Sequence, residues 1–86
     1  MAEDRLTSEL IRAARALLRL EQRDLAEASL ISLPTIKRLE AKPGPLGAHS
    51  STVSALKSAL ENAGVEFIPE NGGGPGVRLR MPPRKK

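Results

Sequence analysis

Phe67 is the sole aromatic side chain in this sequence, and no other feature limits the fold so strongly. A core without rings must be assembled from Leu, Ile, Val and Ala, a set that suits short helices packed on one another. The same shortage argues against RNA-recognition modules and single-strand binders, which stack bases on aromatic platforms. At 86 residues the chain holds one domain's worth, near the lower end of what folds without disulfides or metals. It has no cysteine, so it offers neither a disulfide framework nor a Cys-based zinc site, which fits a reducing cytoplasm.

Apolar spacing predicts four helices. Thr7 is placed to cap the first, where Leu10, Ile11, Ala14, Leu17 and Leu18 recur at the interval of one buried face. A second, shorter helix is expected over residues 22–28, with Leu25 and Ala26 inward. A third runs from a Ser32 cap through Ile36 and Leu39 to about Ala41. Residues 42–47 (Lys-Pro-Gly-Pro-Leu-Gly) cannot stay helical and form a loop. A fourth helix, from Ser51 or Thr52 to Ala63, buries Val53, Leu56, Leu60 and Ala63 and stops at Gly64. Residues 65–68 and 77–80 are β-type runs around a Gly-rich segment and read as a hairpin. Residues 81–86 have nothing to pack against and are expected to be a disordered basic tail.

The formal charge of +4 and pI near 10.1 suit a polyanion binder, although Arg78, Arg80, Arg84, Lys85 and Lys86 concentrate much of the excess near the C-terminus. No apolar run approaches the roughly 20 residues of a membrane span. With its acidic start, the chain is expected to be cytoplasmic and nucleoid-associated rather than exported or membrane-bound. Enzymatic function fails on inventory, since there is no Cys or Tyr, a single His and no carboxylate pair set for acid–base work. His49 has no partners for a metal, and the glycines at 72–76 lack the following helix and Lys-Ser/Thr pair of a phosphate loop. No cofactor is expected.

Residues 22–40 place two short helices on either side of a tight turn, the second carrying polar and basic residues. That is the layout needed to read a major groove, which admits one helix while its predecessor spans the backbone. The segment resembles the Cro/C1-type helix-turn-helix family, the Xre family of bacterial and phage regulators. The resemblance rests on residues 11–18 with Arg15, then Gln22, Leu25, Ala26, Ile31, Ser32, Thr35, Ile36, Leu39 and Glu40. It continues through Val53, Leu56 and Leu60 into Gly64 and Val65, and spans about residues 6–65. The fold it implies is mainly α, a four-helix lambda-repressor-like DNA-binding domain over residues 1–64, here followed by a short C-terminal β-hairpin over 65–80. Three positions depart from the family pattern. Glu21 stands where a small cap is usual, Leu30 where the turn usually has Gly, and Leu33-Pro34 where glutamines often read bases.

The resemblance implies that Gln22 and Thr35 contact phosphates, Thr35 having a plain helix-stabilising role as its alternative. It also brings Lys42, His49, Ser51 and Thr52 to the backbone and pairs Arg15 with Glu40 as a structural tie. Arg38 is placed to bond guanine O6 and N7, and adjacent Lys37 to reach a base or a phosphate. Leu33 and Pro34 either pack against thymine methyls or serve as core or staple residues.

The implied function is sequence-specific double-stranded DNA binding that regulates transcription, as an autoregulating repressor or controller protein. One recognition helix reads few base pairs, so a homodimer is expected, joined through Phe67, Ile68, Val77 and Leu79 of the hairpin. The alternative is an interaction protein, an antitoxin or antiactivator acting mainly on a partner protein.

Overall fold

A computed structural model describes residues 6–80 of the chain; the N-terminal five residues and the expected tail at 81–86 lie outside the described residues. The chain forms helices α1 (Ser8–Leu18), α2 (Gln22–Ser29), α3 (Leu33–Ala41) and α4 (Ser50–Ala63), then strands β1 (Val65–Ile68) and β2 (Gly76–Leu79). The architecture is therefore mainly α with an antiparallel hairpin.

Local chemistry sets the helix ends. Thr7 Oγ1 accepts from Leu10 N at 3.1 Å, and Ser32 Oγ accepts from Thr35 N at 3.3 Å, so both hydroxyls satisfy a first-turn donor. Asp24 Oδ2 reaches back to Glu21 N at 2.8 Å, the carboxylate half of a capping arrangement. Gly64 closes α4 at φ 126°, and a Cβ there would lie 3.5 Å from Leu18 Cδ2 in a backbone conformation that favours glycine. α4 begins at Ser50 with His49 as its cap residue, slightly earlier than the sequence suggests.

The core joins Leu6, Ile11, Ala14, Leu25, Ile36, Leu39, Leu46, Leu56, Ala59, Leu60 and Val65. Two expected core positions are corrected. Leu17 is 42% exposed, and Ala63 is exposed while Ala59, one turn earlier, is buried. α4 is thus rotated so that 56, 59 and 60 form its inward stripe. Leu46 plugs the core from the loop, which is pinned to the start of α1 by the bond from Ser8 N to Gly44 O at 3.0 Å.

The hairpin register pairs Val65 with Leu79, Glu66 with Arg78, Phe67 with Val77 and Ile68 with Gly76. Successive strand residues face opposite ways, which divides the expected dimer patch. Phe67, Val77 and Leu79 pack with Val65 on the chain's own core. Ile68 falls on the other face, with the Glu66–Arg78 ion pair at 3.1 Å. The hairpin already has a packing face and needs no neighbour to supply one. Among the described residues no helix is long and apolar enough to cross a membrane, and no cluster of metal-ligating side chains forms.

Candidate nucleic-acid interface

α2 and α3 meet through a turn whose polar atoms are satisfied internally. Ser29 Oγ donates to Leu25 O at 2.7 Å and accepts from Ile31 N at 3.2 Å, and Leu30 N bonds Ala26 O at 2.9 Å. Leu30 itself sits at φ 64°, the left-handed conformation that makes Gly usual at such a turn. Its side chain is 89% exposed and gives nothing to the core in return.

α3 is amphipathic. Ile36, Leu39 and Glu40 are buried, while Pro34, Lys37, Arg38 and Ala41 are exposed at the spacing of one helix face. Lys37 and Arg38 have no ion-pair or hydrogen-bond partner among the described residues, so both cations point their charge at solvent.

The expected Arg15–Glu40 tie is present and extends further than the sequence indicates. Arg15 Nε donates to Glu40 Oε2 at 2.8 Å and Nη2 to Oε1 at 2.6 Å, a two-pronged bond, while Nη1 donates to Leu20 O at 3.0 Å. The bond to Glu40 raises the guanidinium pKa above its ordinary value, against the opposing effect of burial. Gln22 Nε2 adds a third donor to the carboxylate, reaching Oε1 at 3.0 Å. One buried carboxylate therefore links the end of α1, the start of α2 and the last turn of α3. A fork-on-carboxylate contact defines relative orientation more sharply than it adds net stability.

Beside this cluster lies an open cleft of about 790 Å³ between α1, the start of α2 and one edge of α3. Arg12, Arg15, Arg23 and Lys37 line it together with the carboxylates Glu21 and Glu40, so its walls carry a net positive charge, although Arg15 is paired with Glu40 and Arg12 lies 3.9 Å from Glu9. Arg12 and Arg23 are missing from the sequence-derived site. Each looks like an ordinary surface cation until α1 and α2 pack and turn both toward one concavity.

The remaining expected contacts are more dispersed. Gln22 is half-buried with one amide hydrogen engaged, leaving the other hydrogen and the oxygen available. Thr35 Oγ1 accepts from Ser32 Oγ at 2.9 Å, placing it in the cap network. Lys42, His49 and Ser51 are exposed and Thr52 is half-buried; all lie at the loop or the start of α4, outside the cleft lining. Leu33 is half-buried and Pro34 exposed, and neither belongs to the core or to the side chains packed on it. Among the alternatives for this pair, the core role is therefore removed. The staple positions, before the cap and in the second turn, are held by Ile31 and Ile36.

Compared with known protein families and with curated proteins, the chain matches none.

Proposed function

We propose that this chain is a sequence-specific double-stranded DNA-binding protein of the Cro/C1 helix-turn-helix type that regulates transcription in the cytoplasm. The observation that carries this is the pairing of two features at one junction. α3 exposes Lys37 and Arg38 with no partner among the described residues, and the Arg15–Glu40–Gln22 linkage ties that helix to the start of α2. A helix that exposes two cations, tied to a second helix beside a cleft of net positive charge, meets the requirements for entering a major groove while gripping the backbone. In this role Arg38 and Lys37 face bases, while Gln22, with Arg12 and Arg23 across the cleft, faces phosphate.

A homodimer supplies the second half-site. Its contact moves from the patch expected on sequence to the outer hairpin face, where Glu66, Ile68 and Arg78 lie, and to the strand edges, which can pair with a second copy.

Selection of the full-length chain on random duplexes, followed by gel shift of the enriched sequence, tests the proposal. The expected result is a two-fold symmetric consensus bound far more tightly than scrambled duplex, with affinity falling steeply with salt. Failure to enrich any sequence would overturn it.

A further inference from the structure

The loop between β1 and β2, over residues 69–75, holds a carboxamide and a backbone nitrogen that the rest of the fold does not engage. Asn71 and Gly72 are both exposed. Asn71 N donates to Gly73 O at 3.3 Å, but neither the Asn71 side chain nor Gly72 N has a hydrogen-bond partner among the described residues. Gly72 stands at φ 91°, a conformation that favours glycine, and a Cβ built on it would meet nothing within 4 Å. The loop closes the sheet at its Ile68–Gly76 end, and none of its residues lines the cleft beside α2 and α3.

A backbone nitrogen lies near the side-chain carbonyl carbon of a preceding asparagine and can attack it to close a cyclic imide. Two obstacles normally oppose this reaction. A side chain on the following residue crowds the approach, and secondary structure holds the nitrogen in a hydrogen bond. Asn71 and Gly72 meet neither obstacle. We propose that Asn71 is a site of spontaneous covalent modification, with water as the co-reactant. Gly72 N loses its proton to solvent and bonds Asn71 Cγ; the Cγ–Nδ2 bond breaks, and the amide nitrogen takes a proton from water and leaves as ammonia. Water then opens the imide at either carbonyl, its hydroxyl going to carbon and its proton back to Gly72 N. Cleavage at Cγ gives aspartate, and cleavage at the main-chain carbonyl carbon gives isoaspartate. Either product lowers the formal charge of +4 by one. Isoaspartate also routes the main chain through Cβ, which lengthens the loop by one carbon and exposes an α-carboxylate for a carboxyl methyltransferase to esterify. The loop contributes nothing to the core, so the fold survives the change. This chemistry is independent of the DNA-binding role proposed above.

The test incubates the full chain at mildly alkaline pH and maps its peptides by mass, with isoaspartate read by enzymatic carboxyl methylation. The peptide holding Asn71 should gain the mass difference between acid and amide and yield both products. Asn62, the other asparagine, is an internal control, because Ala63 follows it within α4 and brings a Cβ to a nitrogen of the helical ladder. It should convert at least about ten-fold more slowly. The rate at Asn71 should rise with pH, since the attacking nitrogen must lose a proton. Unfolding in guanidinium chloride should raise that rate by less than about ten-fold, because nothing in the fold protects the site. Asn71→Gln, which would need a larger ring, should remove the mass gain from this peptide and melt as the parent does. Conversion at Asn71 no faster than at Asn62, or a larger rise on unfolding, would overturn the proposal. Aspartate formed without isoaspartate would overturn the cyclic route.

Discussion

Leu30 holds the conformation that the family pattern reserves for glycine, and the sequence indicates this through a single position of the turn. A left-handed non-glycine residue costs about 1–2 kcal/mol, offset in part by the 0.4–1 kcal/mol that glycine loses through a more flexible unfolded chain. With 89% of the side chain exposed, Leu30→Gly forfeits almost no packing. It should raise the melting temperature by roughly 2–5 °C in a domain of this size, read by circular dichroism; a lower melting temperature would show that Leu30 contributes contacts to the fold. Gln22 illustrates the opposite case. Its bond to Glu40 spans eighteen positions of sequence, and nothing local to either residue announces it. The family pattern supplies the Arg15–Glu40 pair, but only packing reveals that the carboxylate also engages the residue expected at phosphate.

The elements themselves were largely legible, because caps and stops are local. Thr7, Ser32, Gly64 and the proline-bearing loop mark α1, α3, α4 and the gap between helices through the chemistry of single residues. Which apolar residues point inward was less legible. Leu17 and Ala63 fit the helical period as well as their neighbours do, and only the angle at which α1 and α4 pack decides against them. Two predictions belong to this scale. Glu40→Ala removes the acceptor shared by three helices and leaves the Arg15 side chain, 18% exposed, with Leu20 O as its remaining partner. It should destabilise by about 2–3 kcal/mol, whereas joint replacement by Arg15→Met and Glu40→Leu should cost much less in a thermal melt, because no charge is left buried. Equal losses would mean that the ion pair itself stabilises the fold. The second concerns Glu9 in α1, which accepts from Gly44 N at 3.2 Å and so ties the loop to the helix. Hydrogen bonds from its own backbone N–H and then that of Gly44 hold its pKa below the ordinary 4.5, with Arg12 adding to the effect. A depressed folded pKa contributes stability that is present above pH 4.5 and is lost as pH falls through the folded value. Glu9→Gln should therefore flatten the acid limb of a stability–pH curve below about pH 4.5; an unchanged limb would place the acid sensitivity elsewhere.

Across the whole molecule, the hairpin is where the sequence reading and the structure differ most. Alternation within a strand separates Phe67 from Ile68, and β1 begins at Val65, which is completely buried in the helical core. Truncation after Gly64 would open that core instead of yielding an intact monomer. Ile68→Lys on the outer face is the better probe of assembly. It should leave the melting temperature of dilute protein nearly unchanged while shifting sedimentation at micromolar concentration from dimer toward monomer. A dimer that persists would move the contact away from this face. The end of β2 is bound to the helices beside the start of β1, since Arg80 N bonds Gly64 O at 2.8 Å and Arg80 Nη1 bonds Glu61 O at 2.7 Å. Both strands are thus anchored at the Val65–Leu79 end of the sheet, beside the C-terminus of α4, and they cannot part at that end without uncovering Val65. That end of the sheet should consequently share the kinetics of the helices: in native-state hydrogen exchange, the paired amides at the Val65–Leu79 end should exchange only through global unfolding, with the same denaturant dependence as the interior of α4. Faster, denaturant-independent exchange there would reveal a separate cooperative unit.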